Sequence, residues 1–351
     1  MTETLPYFLM LCVAAVPALI QQSRSPRVGW VLIFVILVLF VGLRYRVGSD
    51  WEGYVQLAQR LDGEPLANAL VLGDPLFFVI LWASVEAGFG VYGANLVTTA
   101  IFLYGVFCYC RRMPSPWLAL YSALPFLVIV VGMSANRQAA AVGVTLYLLA
   151  TWEKSSTPVR LAIIAVAASL HSSAAIFLLL FVLEARVSRA KKVIAGITAF
   201  GVLGYYVSES QSFSRYAVTY IGDTEINHAA GATQHILLNA IPALVLLLSG
   251  RKLWKLIPQW NFTVAMALAS LVLLVIGMEF SVAASRLSFY LYPVSLCVLS
   301  TIPEMGNTAE MKTLLRWVVV VYGAVMLAGW LTFANHAYNH KPYSNVLLQQ
   351  V

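Results

Sequence analysis

Four short polar stretches interrupt an otherwise apolar chain, and each carries side chains able to do chemistry. The first, RYRVGSDWEGY from Arg44 to Tyr54, sets Arg44 and Arg46 around a tyrosine, then Gly48, then Asp50 among Trp51, Glu52 and Tyr54. Paired arginines at the end of an apolar run can clamp a phosphate bidentately, and an aspartate beside them can orient a hydroxyl or take its proton. Gly48 permits the tight turn between the two halves. The second, SANRQAA, puts Arg137 and Gln138 behind Ser134 and Asn136 where an apolar run begins. An arginine in the first turn of a helix opposes the helix dipole, so a bound anion explains it better than helix stability does.

In the third stretch, ASLHSSAA, His171 stands inside an apolar run and is followed by two hydroxyls. A partly desolvated histidine can act as a general base near neutral pH or as a charged phosphate ligand. The fourth, MEFSVAASRLSFYLY, brings Glu279, Arg286, Tyr290 and Tyr292 together, with Arg286 and Tyr290 four apart and therefore on one helical face. A wider stretch, 208–234, adds Arg215 and Tyr216, with Tyr220, Asp223 and His228, enough charge and ring surface to hold a sugar. Each stretch also has a plainer reading: an interfacial loop with local Arg–Asp pairs, a helix start without a ligand, a satisfied core histidine, a solvated loop. His336 and His340 are spaced i, i+4, but the missing third ligand and the following Pro342 argue against a metal site, and none is expected.

The elements that must hold these groups are membrane helices. Of 351 residues, 60% are hydrophobic and only 11% charged, against about 25% charged in a soluble domain. Mean hydropathy is +0.81. That balance excludes a disordered chain, a secreted disulfide scaffold and a nucleic-acid binder. Cys12, Cys108, Cys110 and Cys297 all lie in apolar runs without metal or redox spacing and read as small buried hydrophobes. A span takes roughly 20 apolar residues, so the pattern predicts an all-α polytopic transmembrane bundle with about ten full spans. They fall at 5–20, 28–43, 92–110, 116–132, 138–152, 193–207, 235–249, 262–278, 287–302 and 317–334. Two further apolar stretches are broken: 66–90 by Gly73, Asp74 and Pro75, and 161–183 by His171, Ser172 and Ser173. Such breaks mark re-entrant or split helices, tolerated only where protein or water covers the freed backbone. The chain is then one integral membrane domain, 1–351, with an outer loop at 44–91 carrying a re-entrant or interfacial segment and another at 208–234.

Charge orients the bundle. If 24–27, 111–112, 153–160, 184–192, 251–255 and 303–316 face the cytoplasm, they collect 15 of the 22 basic residues, as the positive-inside trend requires. The assignment closes only if both broken stretches enter and leave on one side, which puts His171 at an outer tip. Arg44, Arg46, Arg60, Arg137, Arg215, Arg286 and Lys341 remain outside, against the trend. Arginines near span ends mark function by default, snorkelling to lipid phosphate being the plainer alternative.

The order and spacing of RYRVGSDWEGY, SANRQAAA, LHSSAAIF and SRLSFYLY resemble the EpsG-like polysaccharide polymerases, akin to Wzy polymerases, over about residues 40–295. Ser49 and Trp51 depart from the Thr and the Tyr or Phe expected there. The resemblance implies a GT-C-like integral-membrane glycosyltransferase in the bacterial inner membrane, multi-pass, its site facing the periplasm or exterior. It would join polyprenyl-diphosphate-linked oligosaccharide repeats, undecaprenyl diphosphate being the carrier, into an exopolysaccharide or O-antigen. Arg137, Gln138 and Arg286, with Arg44 or Arg46, Tyr290, Arg215 and Tyr216, would then bind substrate. His171 would be the base ahead of Asp50, and Arg137 would stabilise the departing diphosphate. No cofactor is implied, although the acids of the first outer loop leave room for a divalent cation. The implied partners are the lipid-linked oligosaccharide, the growing polysaccharide, membrane lipid, and a flippase and chain-length regulator of the same pathway, with no nucleic acid. Two other classes want similar residues: a membrane acyltransferase modifying a cell-surface polysaccharide, and a polysaccharide transporter. The first would place its histidine toward a cytoplasmic acyl donor, and the second would spread charges across the bilayer in inverted repeats.

Overall fold

The computed structural model describes residues 3–20, 27–185, 231–249 and 251–348, and singly 188, 191, 194, 196 and 198. The elements are α1 (Leu5–Ile20), α2 (Arg27–Gly42), α3 (Trp51–Leu61), α4 (Pro75–Glu86), α5 (Gly90–Cys110), α6 (Pro116–Ser134), α7 (Asn136–Thr151), α8 (Thr157–Leu170) and α9 (Leu179–Glu184). Then come α10 (Ala232–Ser249), α11 (Trp260–Ile276), α12 (Ser281–Ser288), α13 (Pro293–Thr301) and α14 (Ala309–Phe333). Among the described residues the only β pairing is an isolated antiparallel bridge between Arg44 and Asn345. Apart from that bridge, the regular structure of the described residues is all helical, as the composition predicts.

Ten full spans are expected, and the described residues confirm no more than five of them by length and composition. Four helices, α5, α6, α10 and α14, are long and apolar enough to cross a membrane alone, and Ser281–Leu291 with Pro293–Met305, bent by 49°, makes a fifth if counted as one span. The apolar helices α1, α2 and α11 have 16, 16 and 17 residues. At 1.5 Å per residue, 16 residues reach about 24 Å, short of a hydrocarbon core of about 30 Å. The expected span at 138–152 becomes α7, whose first turn is polar. The expected span at 193–207 falls almost wholly outside the described residues.

α6 is the axis of the bundle, buried along nearly its whole length. Its residues are apolar on every side, so no face of it calls for water. α5 and α7 pack backbone to backbone beside it. A Cβ on Gly105 would strike the Gly143 carbonyl, and one on Gly143 would strike the Phe102 backbone, the close approach that small residues allow between membrane helices. At the periphery α2 exposes Val28, Val31, Leu32 and Val35, and α14 exposes Val318, Val321 and Val325. Apolar stripes of that length suit lipid, not water.

The two broken stretches fold back on themselves. α8 carries the chain from Arg160 to Leu170, His171 breaks the helix in extended conformation, and a 3-10 turn at Ser172–Leu178 leads into α9. Glu184 at the far end of α9 returns to Arg160 at 2.7 Å, so both feet of the hairpin are at one end and His171 is at its tip. The other break behaves likewise: the indole of Trp82 in α4 donates to the Glu64 carbonyl at 2.7 Å, leaving Asp74 at the turn between them. Arg112–Glu153, Arg160–Glu184 and Lys312–Glu304 pairs gather at one end of the bundle. Asp50, Arg137 and His171 lie at the other.

Candidate active site

The first loop is folded by its own arginine. Arg44 is wholly buried, and its guanidinium donates to the carbonyls of Val47 (3.0 Å) and Val41 (2.9 Å), capping α2 and pulling the loop back over it. Gly48 follows at φ 107°, where a Cβ would collide with the Met133 carbonyl. Only glycine combines that conformation with that approach. The loop therefore lies flat on the end of α6, with the Ser49 N–H at 3.4 Å from the Ser134 hydroxyl. A C-terminal strap holds it from above: Gly48 N–H donates to the Asn339 carbonyl at 2.8 Å, Tyr45 N–H to Ser344 at 3.0 Å, and Tyr343 stacks on Phe40.

Asp50 comes next, at the N-cap position of α3, yet its carboxylate makes no cap bond. It is open to solvent while protein walls it on most sides, the signature of a recess. Burial pushes its pKa above the ordinary carboxylate value, with Arg286, Arg137, Arg44 and His336 pulling the other way. α3 is amphipathic and buries Trp51, Tyr54, Ala58 and Leu61 at helical spacing. That stripe seats Tyr54 against Phe77 of α4 and brings its hydroxyl to the backbone N–H of Arg137 at 3.4 Å.

Arg137 opens α7 just after the backbone breaks at Ala135. Its guanidinium pairs with Asp74 at 3.1 Å and lies over the rings of Phe77 and Phe78, at 5.6 and 5.9 Å. The other Asp74 oxygen accepts from the Ser172 N–H at 3.0 Å. One carboxylate thus ties the first turn of α7 to the hairpin tip beside His171. Burial raises the Asp74 pKa, and Arg137 opposes the shift.

His171 Nδ1 lies 2.6 Å from the Ser173 hydroxyl, which is 3.0 Å from the Tyr290 hydroxyl. Gln138 is buried and its amide nitrogen donates to the Arg286 carbonyl at 2.8 Å, fastening α7 to α12. Arg286 and Arg137 both act electrostatically on His171, and both act on Asp50. Two guanidinium groups, a carboxylate and an imidazole therefore lie within electrostatic reach of one another around this recess. Such a set can hold a polyanion, accept a proton and donate a hydrogen bond.

A family model for the EpsG family matches residues 27–345, nearly the whole chain. The chain belongs to the EpsG family. EpsG is a Wzy-like polysaccharide polymerase family, and a multi-pass membrane protein is the form its apolar helices take. No curated protein and no solved structure matches the chain.

Within this EpsG chain the structure sorts the residues expected to act. Asp50, Arg137, Gln138, His171, Arg286 and Tyr290 converge, while Arg44 is turned inward as a structural cap. Arg46, at φ 52°, lies exposed over the Tyr45 ring at 5.3 Å. Arg215 and Tyr216 lie outside the described residues, as does the 208–230 part of the expected outer loop. His235 bonds Ser285 at 2.9 Å between Phe126 and Phe289, as a satisfied core histidine does. Among the described residues no group of three His, Cys, Asp or Glu could hold a metal. Sequence reasoning passed over Asp74, treating it only as a helix breaker. An acid between Gly73 and Pro75 in an apolar run was the available signal, since an uncompensated charge there is costly.

Proposed function

We propose that this EpsG protein polymerises polyprenyl-diphosphate-linked oligosaccharide repeats at the extracytoplasmic face of the bacterial inner membrane. The observation that carries this is that Asp74 ties Arg137 to the hairpin tip beside His171 while Gln138 ties the same helix to the Arg286 carbonyl, which brings Arg137 and Arg286 within electrostatic reach of Asp50 and His171. A departing diphosphate develops negative charge, and preorganised guanidinium groups in a partly desolvated site stabilise it strongly. The acceptor sugar hydroxyl loses its proton as the bond between the donor sugar carbon and the diphosphate oxygen breaks, and Asp50 and His171 are the groups able to receive it. The electron pair of the broken bond leaves with the lipid diphosphate. No cofactor is called for, because the guanidinium pair supplies the positive charge.

An apolar cavity of about 480 Å³ opens beside the recess, lined by Phe177, Leu180, Met266, Leu273, Leu287 and Tyr290. An apolar space next to a cationic recess suits a donor with an anionic head and a hydrocarbon tail. In a GT-C-like arrangement the repeat units would arrive through a flippase, and a chain-length regulator would act on the product. Purified protein with a short lipid-diphosphate oligosaccharide should give a product ladder on a gel. Arg137→Ala should abolish it with the fold retained. No extension by the wild-type protein from several lipid-linked donors, or full extension by Arg137→Ala, Asp50→Asn and His171→Ala alike, would overturn the assignment and favour acyl transfer or transport.

A further inference from the structure

Asp50 and His171 compete for one proton, and the hydrogen bonds behind His171 separate them. The Gln138 amide nitrogen donates to the Arg286 carbonyl, which can only accept, and this fixes which end of the amide is nitrogen. The buried Tyr290 hydroxyl lies 3.0 Å from the Ser173 oxygen. A buried hydroxyl proton needs an acceptor, and among the described residues the Ser173 oxygen is the one within hydrogen-bond distance, so Tyr290 donates to it. The Ser173 proton then has one acceptor within hydrogen-bond distance among the described residues, His171 Nδ1 at 2.6 Å, and donates to it. A neutral imidazole has one N–H and one bare nitrogen, so a hydrogen bond received at Nδ1 puts the proton on Nε2. Among the described residues Nε2 has no hydrogen-bond partner, and it is not sealed from solvent.

We propose that Tyr290 and Ser173 form a directed relay that holds His171 in its Nε2–H form, making it the hydrogen-bond donor to the departing diphosphate and leaving Asp50 as the base. Ser173 and Tyr290 are then positioning residues, which changes Tyr290 from the substrate ligand that its spacing from Arg286 suggests. The step balances as follows. The acceptor oxygen forms its bond to the donor sugar carbon, and its proton goes to the Asp50 carboxylate. The bond from that carbon to the diphosphate breaks, and its electron pair stays on an oxygen that the Nε2–H and the two arginines face. No proton leaves His171. This assignment rests on the polymerase function proposed above, but the tautomer can be read without any turnover.

The test uses the full chain in lipid nanodiscs, labelled with ¹⁵N-histidine, at a pH where imidazole is neutral. The His171 signals are assigned by their loss in His171→Gln. We expect wild-type His171 as a single tautomer with Nδ1 bare. Ser173→Ala should mix the two tautomers and lower kcat about tenfold with KM unchanged, while Ser173→Thr, which keeps the hydroxyl, should restore both. A wild-type signal with the proton on Nδ1, or a Ser173→Ala variant with unchanged tautomer and kcat, would overturn the relay. A loss confined to KM would overturn the positioning role and return Ser173 to substrate binding. If wild type shows the bare Nδ1 but extends no lipid-linked donor, the polymerase assignment fails and the relay stands as a feature of another activity.

Discussion

Arg137 is held from several directions: its guanidinium pairs with Asp74 and lies over the rings of Phe77 and Phe78, and its backbone N–H donates to the Tyr54 hydroxyl. A guanidinium so oriented presents its remaining donors in a fixed fork, which an ammonium cannot copy. Arg137→Ala should therefore lower kcat/KM by about 10²–10³, the usual loss when one preorganised donor to a developing oxyanion is removed. Arg137→Lys should recover only part of this in the ladder assay. Asp50 gives a prediction of a different kind. Its pKa is raised by burial, so the folded protein binds that proton more tightly than the unfolded chain does, and the stability it gives at low pH is lost as pH rises through the folded pKa. Asp50→Asn, which cannot ionise, should melt at a higher temperature than wild type near neutral pH while losing its activity. In the wild type, the acid limb of the rate profile should lie above the ordinary carboxylate range, because a base must be ionised to act. A limb at the ordinary value would show that another group takes the proton. The sequence made His171, Arg137 and Arg286 legible because charge in an apolar run is conspicuous. It could not show that Arg44 turns inward, since whether an arginine caps its own helix or faces a ligand depends on where the following loop is laid.

At the scale of elements, the site is a meeting of interruptions. α7 begins after the break at Ala135, α4 after the break at Asp74, and the α8 hairpin turns at His171. Both broken stretches were readable from their Gly, Pro, His and Ser content, and both double back as the distribution of charge requires. The lengths of the helices were less readable. An apolar run does not reveal whether 16 residues cross a bilayer or stop within it, because that depends on what covers the ends. Gly48 and Gly143 separate the site from its scaffold. Gly48→Ala must shift the first loop off the Met133 carbonyl and leave a left-handed backbone strained. We expect at least a tenfold loss of extension with the helical content and melting temperature nearly unchanged. Gly143→Leu instead forces α5 and α7 apart where their backbones touch. Overpacking of this kind costs about 1–3 kcal/mol even when side chains alone must move, so a clear fall in melting temperature should precede any specific kinetic effect. The reverse pattern in the two variants would mean that the loop, not the α5–α7 contact, holds the bundle together.

At the scale of the whole molecule, charge is sorted end to end. The ion pairs of Arg112, Arg160 and Lys312 occupy one end, and the recess occupies the other. Single cysteines at Glu52 and at Glu153 should accordingly react with a membrane-impermeant maleimide from opposite sides of sealed vesicles. The Glu52 position should label in intact cells and the Glu153 position only after lysis, and the opposite result would place the recess toward the cytoplasm. The strap over the first loop has a further consequence, for biosynthesis. The Asn339 side chain that meets Ser49 is 290 residues further along the chain, and Asn345 pairs with Arg44 in the same strap. While the intervening helices are still being made, the first loop lacks the strap that packs on it, so on the proposed reading the recess takes its final shape only after residues 339–345 have been added.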